Sequence, residues 1–141
     1  MSKNSIESLN ANFYTDSWTR ERRNYEADGY LQQLSSLYLM EDLSLGRYSM
    51  NYFKSNRTWP TEWPIFVVLS VYDAWRQTGN TEQVADYYDN LKAKLRPDWL
   101  EAATGLVRKT VGSNGSSSCN DCDIVDWPTS QSPYRTVATI R

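Results

Sequence analysis

Apolar residues recur at helical spacing through the middle of the chain. Tyr30, Leu34, Leu37 and Tyr38 fall at i, i+4, i+7 and i+8, one face of a helix over about 27–42. Tyr48, Tyr52 and Phe53 mark a second helix over about 45–55. The link Glu41-Asp42-Leu43-Ser44 is short, so these two helices should form a hairpin. Ile65, Val68, Tyr72 and Trp75 predict a third helix over about 64–78, with Pro64 suited to its first turn and Gly79 to its stop. Val84, Tyr87, Leu91 and Leu95 predict a fourth over about 81–95, with Asn80 or Thr81 as its cap. Pro97 can start a further helix through Trp99, Leu100, Ala103 and Val107. Residues 2–12 have weak helical character, and 112–135 read as loop, rich in Gly, Ser, Asn and Pro. The expected fold class is therefore all-α, a series of helical hairpins with long polar loops.

One stretch has neither period. Tyr14 to Asp28 holds four carboxylates (Asp16, Glu21, Glu26, Asp28), three arginines and three aromatic rings in fifteen residues. Such a loop suits recognition of a polar ligand or acid–base chemistry. Arginines can hold a carboxylate in place, and rings can shield it from water. A solvated, salt-bridged connection between helices is the plain alternative.

Asp16, Glu21 and Asp28 stand five and seven residues apart. The run D-S-x-T-R-E-R-x-x-Y-E-x-D-G resembles the acidic signature of glycoside hydrolase family 78, the α-L-rhamnosidases. The resemblance implies that Glu21 is the general acid and that Asp16 and Asp28 bind the sugar. Many relatives have Gly-Trp before the last Asp; this chain has Asn24-Tyr25, which keeps a ring. By the same resemblance Arg20, Trp18 and Tyr25 belong to the site. Glu62-Trp63, which leads into the second of two W-P steps, is similar to an E-W element of the family. Asp126-Trp127 is similar to a D-W element on the substrate side of its barrel. Trp75-Arg76-Gln77-Thr78-Gly79-Asn80 resembles the family's Y-x-x-T-G-D turn.

The resemblance spans residues 10–135 and implies about the first half of an (α/α)6 toroid, one partial domain over 1–141. It implies inverting hydrolysis of terminal α-L-rhamnose, in which one carboxylic acid protonates the leaving oxygen and a second carboxylate activates water. The family's general base lies later in the barrel. This chain is accordingly expected to be an incomplete hydrolase, inactive alone. Two other readings stay open: a non-catalytic carbohydrate-binding or helical interaction module, and another α/α-toroid sugar enzyme such as an unsaturated glycuronyl hydrolase. An open half-barrel would also expose apolar surface and favour self-association.

Composition narrows the chemistry. The 141-residue chain has six Trp and ten Tyr, and flat rings line sugar sites as well as cores. It has no His, which removes the commonest catalytic base and metal ligand. A net charge of −2 with no basic run argues against nucleic acid and anionic membranes. No apolar run approaches a membrane span. Cys119 and Cys122 form one C-x-x-C in a polar tract and cannot complete a zinc site. No metal or cofactor is expected. Met1 to Ser5 leads into no apolar signal region, so the default expectation is cytoplasmic.

Overall fold

The computed structural model describes residues 13–58 and 63–106, together with Asn4. These residues hold four α-helices and no strand: α1 (Glu26–Leu39), α2 (Ser44–Ser55), α3 (Trp63–Thr78) and α4 (Glu82–Lys94). A 3-10 turn, Pro97–Trp99, follows. The expected all-α fold is observed. The readings of residues 2–12, Glu62, Cys119, Cys122, Asp126 and Trp127 lie outside the described residues.

Local signals explain the helix ends. Gly79 takes a left-handed φ of 69° after α3, a conformation that costs glycine little. Its N–H reaches the Trp75 carbonyl at 2.7 Å. Asn80 caps α4, its Oδ1 accepting the Glu82 N–H at 2.9 Å. Thr81 makes no side-chain cap bond. Asp42 receives the Ser44 N–H at 2.8 Å before α2.

Side-chain pairings give the arrangement. Gly29 meets Phe53, and Gln33 meets Gly46, so α1 and α2 run in opposite directions. Tyr25 meets Trp63, Tyr30 stacks on Phe66 and Gln33 donates to the Ser70 carbonyl, so α1 and α3 run side by side in the same direction. Arg47 pairs with Glu82, Tyr87 donates to Asn51, and Asn90 donates to the Lys54 carbonyl, so α2 and α4 are likewise parallel. Two antiparallel hairpins therefore lie next to one another, like helix beside like.

Met50, Phe53, Val67, Val71, Tyr87 and Leu91 form the core between the hairpins, with Val68 and Val84 packed against it. On α4 the predicted stripe holds, with Tyr87 and Leu91 buried, and Leu37 and Phe53 are buried as expected, but on α1, α2 and α3 the buried face is otherwise rotated from the predicted one. Gly29, Gln33 and Ser36 lie inside on α1, whereas Tyr38 is 75% exposed. On α2, Ser49, Met50 and Phe53 are buried while Tyr48 and Tyr52 face outward. On α3, Val67, Ser70 and Val71 replace Tyr72 and Trp75.

Hydrogen bonds explain why polar groups go inside. Gln33 Nε2 donates to the Ser70 carbonyl at 2.6 Å. Tyr14 N–H donates to Ser49 Oγ at 2.9 Å, and its hydroxyl lies 2.5 Å from Ser36 Oγ. Close approach adds a second reason: a Cβ on Gly29 would lie 3.2 Å from the Phe53 ring.

The helix expected from Pro97 to Val107 is a correction. Trp99 and Leu100 bond back to Arg96 and Pro97, and the chain then turns. The Glu101 N–H donates to the Leu106 carbonyl at 2.8 Å, which closes a loop in place of a helix. Pro97 supports the turn because it needs no N–H partner.

Four tyrosines titrate high. Burial pushes Tyr14, Tyr30 and Tyr87 above the ordinary value of 10.0. Tyr25 is pushed up to about 12, chiefly by its hydrogen bond to Glu21. A raised folded-state pKa gives stability that is fully present below 10.0 and is lost as pH rises through the folded values. The urea midpoint should therefore hold up to that pH and then fall, with tyrosinate absorbance rising alongside. Ordinary tyrosine titration with the fold intact would contradict this.

Candidate functional site

The acidic stretch is a closed loop before α1. Its neck is a two-bond clasp: Asp16 N–H donates to the Arg23 carbonyl and Arg23 N–H donates to Asp16 Oδ1, both at 2.9 Å. Ser17 Oγ donates to Asp16 Oδ2 at 2.8 Å and receives the Glu21 N–H at 3.2 Å. Arg22 Nε reaches back to the Trp18 carbonyl at 2.6 Å. Arg22 itself takes a left-handed φ of 52°, a geometry costing an L-residue roughly 1–2 kcal/mol.

Burial would raise the Asp16 pKa. The Arg23 N–H and the Ser17 hydroxyl outweigh it and hold the carboxyl below its usual 3.8. The clasp is thus strongest with Asp16 ionised. It contributes stability above that value, lost as pH falls through the folded pKa. Asp16 consequently closes the loop, besides any part it has in ligand binding. Its oxygens retain further lone pairs for a second acceptor role.

Glu21 sits on the loop's outer side, its side chain 45% exposed. Tyr25 donates its hydroxyl to the Glu21 carboxylate. Arg20 approaches Glu21 at 3.6 Å. Neighbouring side chains on an extended backbone should point apart, which would turn both arginines away from Glu21. Arg22 obeys this, reaching back to Trp18, and Arg20 does not.

Tyr25 is the N-cap residue of α1 and packs edge-on against Trp63, the first residue of α3, with ring centroids 5.8 Å apart. Trp18 is exposed on the loop. Asp28 is half-buried in the first turn of α1, where the helix dipole favours an acid. The loop therefore brings Asp16, Arg20, Glu21 and Tyr25 together, and Tyr25 links them to Trp63. Comparison with family models, with curated proteins and with solved structures returns no match.

Glu26 is the residue that motif reasoning passes over. It is the carboxylate of this stretch that is fully buried, 1% exposed. Thr58, after α2, donates its N–H to Glu26 Oε1 at 2.9 Å and its hydroxyl to Oε2. No local spacing signals this, since the partners are 32 residues apart. The one hint is a Glu placed to open α1.

A separate cavity of about 280 Å³ lies at the opposite end of the helices, among Leu37, Asp42, Arg47, Trp75 and Gln83. None of the loop acids lines it. Two of its charged residues have partners, Arg47 with Glu82 and Asp42 with Ser44. Among the described residues no group of His, Cys, Asp and Glu could hold a metal ion, and no helix is long and apolar enough to cross a membrane.

Proposed function

We propose that residues 16–28 form the acid-donating half of a glycoside hydrolase site of the α-L-rhamnosidase type. Glu21 is the proton donor, and Asp16 and Asp28 are sugar ligands. The observation that carries this reading is the closed loop. Its clasp closes the loop with Glu21 at the rim, and Tyr25 holds the carboxyl while packing edge-on against Trp63. A sugar approaching the loop meets the Glu21 carboxyl group and the exposed Trp18 ring, with Tyr25 half-buried beside them and Trp63 buried behind it. An inverting glycosidase needs one such carboxyl beside the glycosidic oxygen and a second carboxylate across the ring to activate water. In the rhamnosidase family that second group comes from later in the barrel. The chemistry calls for no cofactor, and the partner is a glycoside ending in α-L-rhamnose.

The parallel placement of α1 beside α3 and α2 beside α4 supports a toroid of hairpins as the frame. Leu31, Tyr38, Leu69 and Tyr72 are exposed large apolar residues on α1 and α3. In a toroid, further hairpins would cover them; without these, self-association would.

Titration with L-rhamnose, read on indole N–H resonances and set against D-glucose, tests the proposal. L-Rhamnose should shift Trp18 and Trp63 selectively, Asp28→Asn should weaken the response, and the chain alone should not turn over an aryl rhamnoside. No response, or equal response to both sugars, would defeat the reading.

A further inference from the structure

Glu26 joins three parts of the fold. It opens α1, directly after Tyr25. It accepts both the N–H and the hydroxyl of Thr58, on the segment leading from α2 toward Trp63. Lys94, in the last turn of α4, feels the Glu26 charge. Burial lowers the Lys94 pKa; the Glu26 charge works against that lowering, and Arg57 adds to it.

We propose that Glu26 is a positioning residue for the acid site, fixing Tyr25 and Trp63 at the spacing that holds Glu21. The inference rests on the rhamnosidase-type reading for its functional consequence. Its structural part stands on Glu26 burial and the two bonds from Thr58. The argument is one of connection. Tyr25 touches Glu21 on one side and Trp63 on the other. Tyr25 caps α1 and Trp63 begins α3, so their contact lies where the pairing of α1 with α3 meets the Thr58–Glu26 bonds at the same end of the helices. Among the described residues Thr58 is the last before Trp63, and Glu26 holds it by its backbone as well as its side chain. A buried carboxylate with two donors is stable where it is, and costly to disturb. Neither Asp16 nor Asp28 can substitute: Asp16 is committed to the clasp at Arg23, and Asp28 lies two residues further along α1.

The test uses the full chain with Glu26→Ala, Glu26→Gln and Thr58→Val. Three readouts are followed: amide exchange at Thr58, the Tyr25–Trp63 ring NOE, and the L-rhamnose response of the Trp63 indole. Glu26→Ala should speed Thr58 exchange about tenfold or more, since a charge-assisted bond is lost locally. It should also erase the ring NOE and weaken the sugar response, while exchange at Phe53 and Val67 stays as in the wild type. Glu26→Gln keeps an acceptor for the Thr58 N–H and should restore much of the NOE. Thr58→Val, which removes only the hydroxyl, should fall between them.

Unchanged Thr58 exchange in Glu26→Ala overturns the proposal. So does uniform acceleration at Phe53 and Val67, which would mark a general stability effect. A full sugar response in Glu26→Ala also overturns it and leaves the rhamnosidase-type reading standing. If the wild type gives no sugar response while Thr58 exchange and the NOE move as stated, that reading fails and the positioning of Tyr25 and Trp63 by Glu26 is upheld.

Discussion

Glu21→Gln, in a chimera joining this chain to the later half of a rhamnosidase barrel, should lower turnover of a natural rhamnoside by about 10²–10⁴-fold, the usual worth of a general acid. The substitution keeps size and the ability to accept the Tyr25 hydroxyl but removes the proton to be donated. Binding should change little, so the loss falls on kcat and not on KM. Substrates with good leaving groups need less protonation and should lose less. That graded response separates lost acid catalysis from a damaged loop, which would slow both kinds of substrate alike. Turnover of the natural rhamnoside near that of the unsubstituted chimera would remove Glu21 from the role.

Phe53→Ala should cost about 3–5 kcal/mol of stability, the range for deleting a fully buried Phe side chain. Phe53 has no exposed surface and packs with Met50, Val67 and Tyr87 where the hairpins meet. Gly29 lies directly against its ring and cannot expand to fill the space. Domains of this size have only about 5–15 kcal/mol in total, so the variant should be partly unfolded without a stabilising additive. Urea unfolding followed by circular dichroism measures the loss. A cost under about 1 kcal/mol would mean that the interface collapses into the hole, contrary to the close packing described.

The helices were legible because their punctuation is local. Gly79, Asn80 and Pro64 set ends that residue type alone suggests, and each predicted helix of the pair of hairpins has its counterpart. The faces were less legible. Tyr38, Tyr48 and Tyr72 looked like core residues by size and period, yet Gln33, Ser36, Ser49 and Ser70 are buried. Their burial depends on partners up to 37 residues away, such as Ser70 for Gln33, and on a glycine that lets two helices close up. Periodicity sees none of this.

The site divides in the same way. The spacing of Asp16, Glu21 and Asp28 was visible in the sequence, and so was a role for Tyr25 near Glu21. The clasp that commits Asp16 to Arg23 depends on a left-handed Arg22, which no residue preference announces. Glu26 was hidden because its importance comes from Thr58 across the fold. The expected helix after Pro97 failed because the chain between Glu101 and Leu106 bonds to itself.

The like-beside-like hairpins have a consequence for how the molecule acquires its shape. Each helix touches its own hairpin mate and its counterpart in the neighbouring hairpin, so the contacts of α1 with α2 can close before α3 exists. A chain leaving the ribosome N-terminus first could complete that pair and then receive the second hairpin as a repeat of the same step. Assembly of this kind is governed by nearest neighbours, and it tends to start wherever one pair is strongest. Rates of folding should then be set by the meeting of the two hairpins, where the core closes, while the order of events is set by the direction of synthesis.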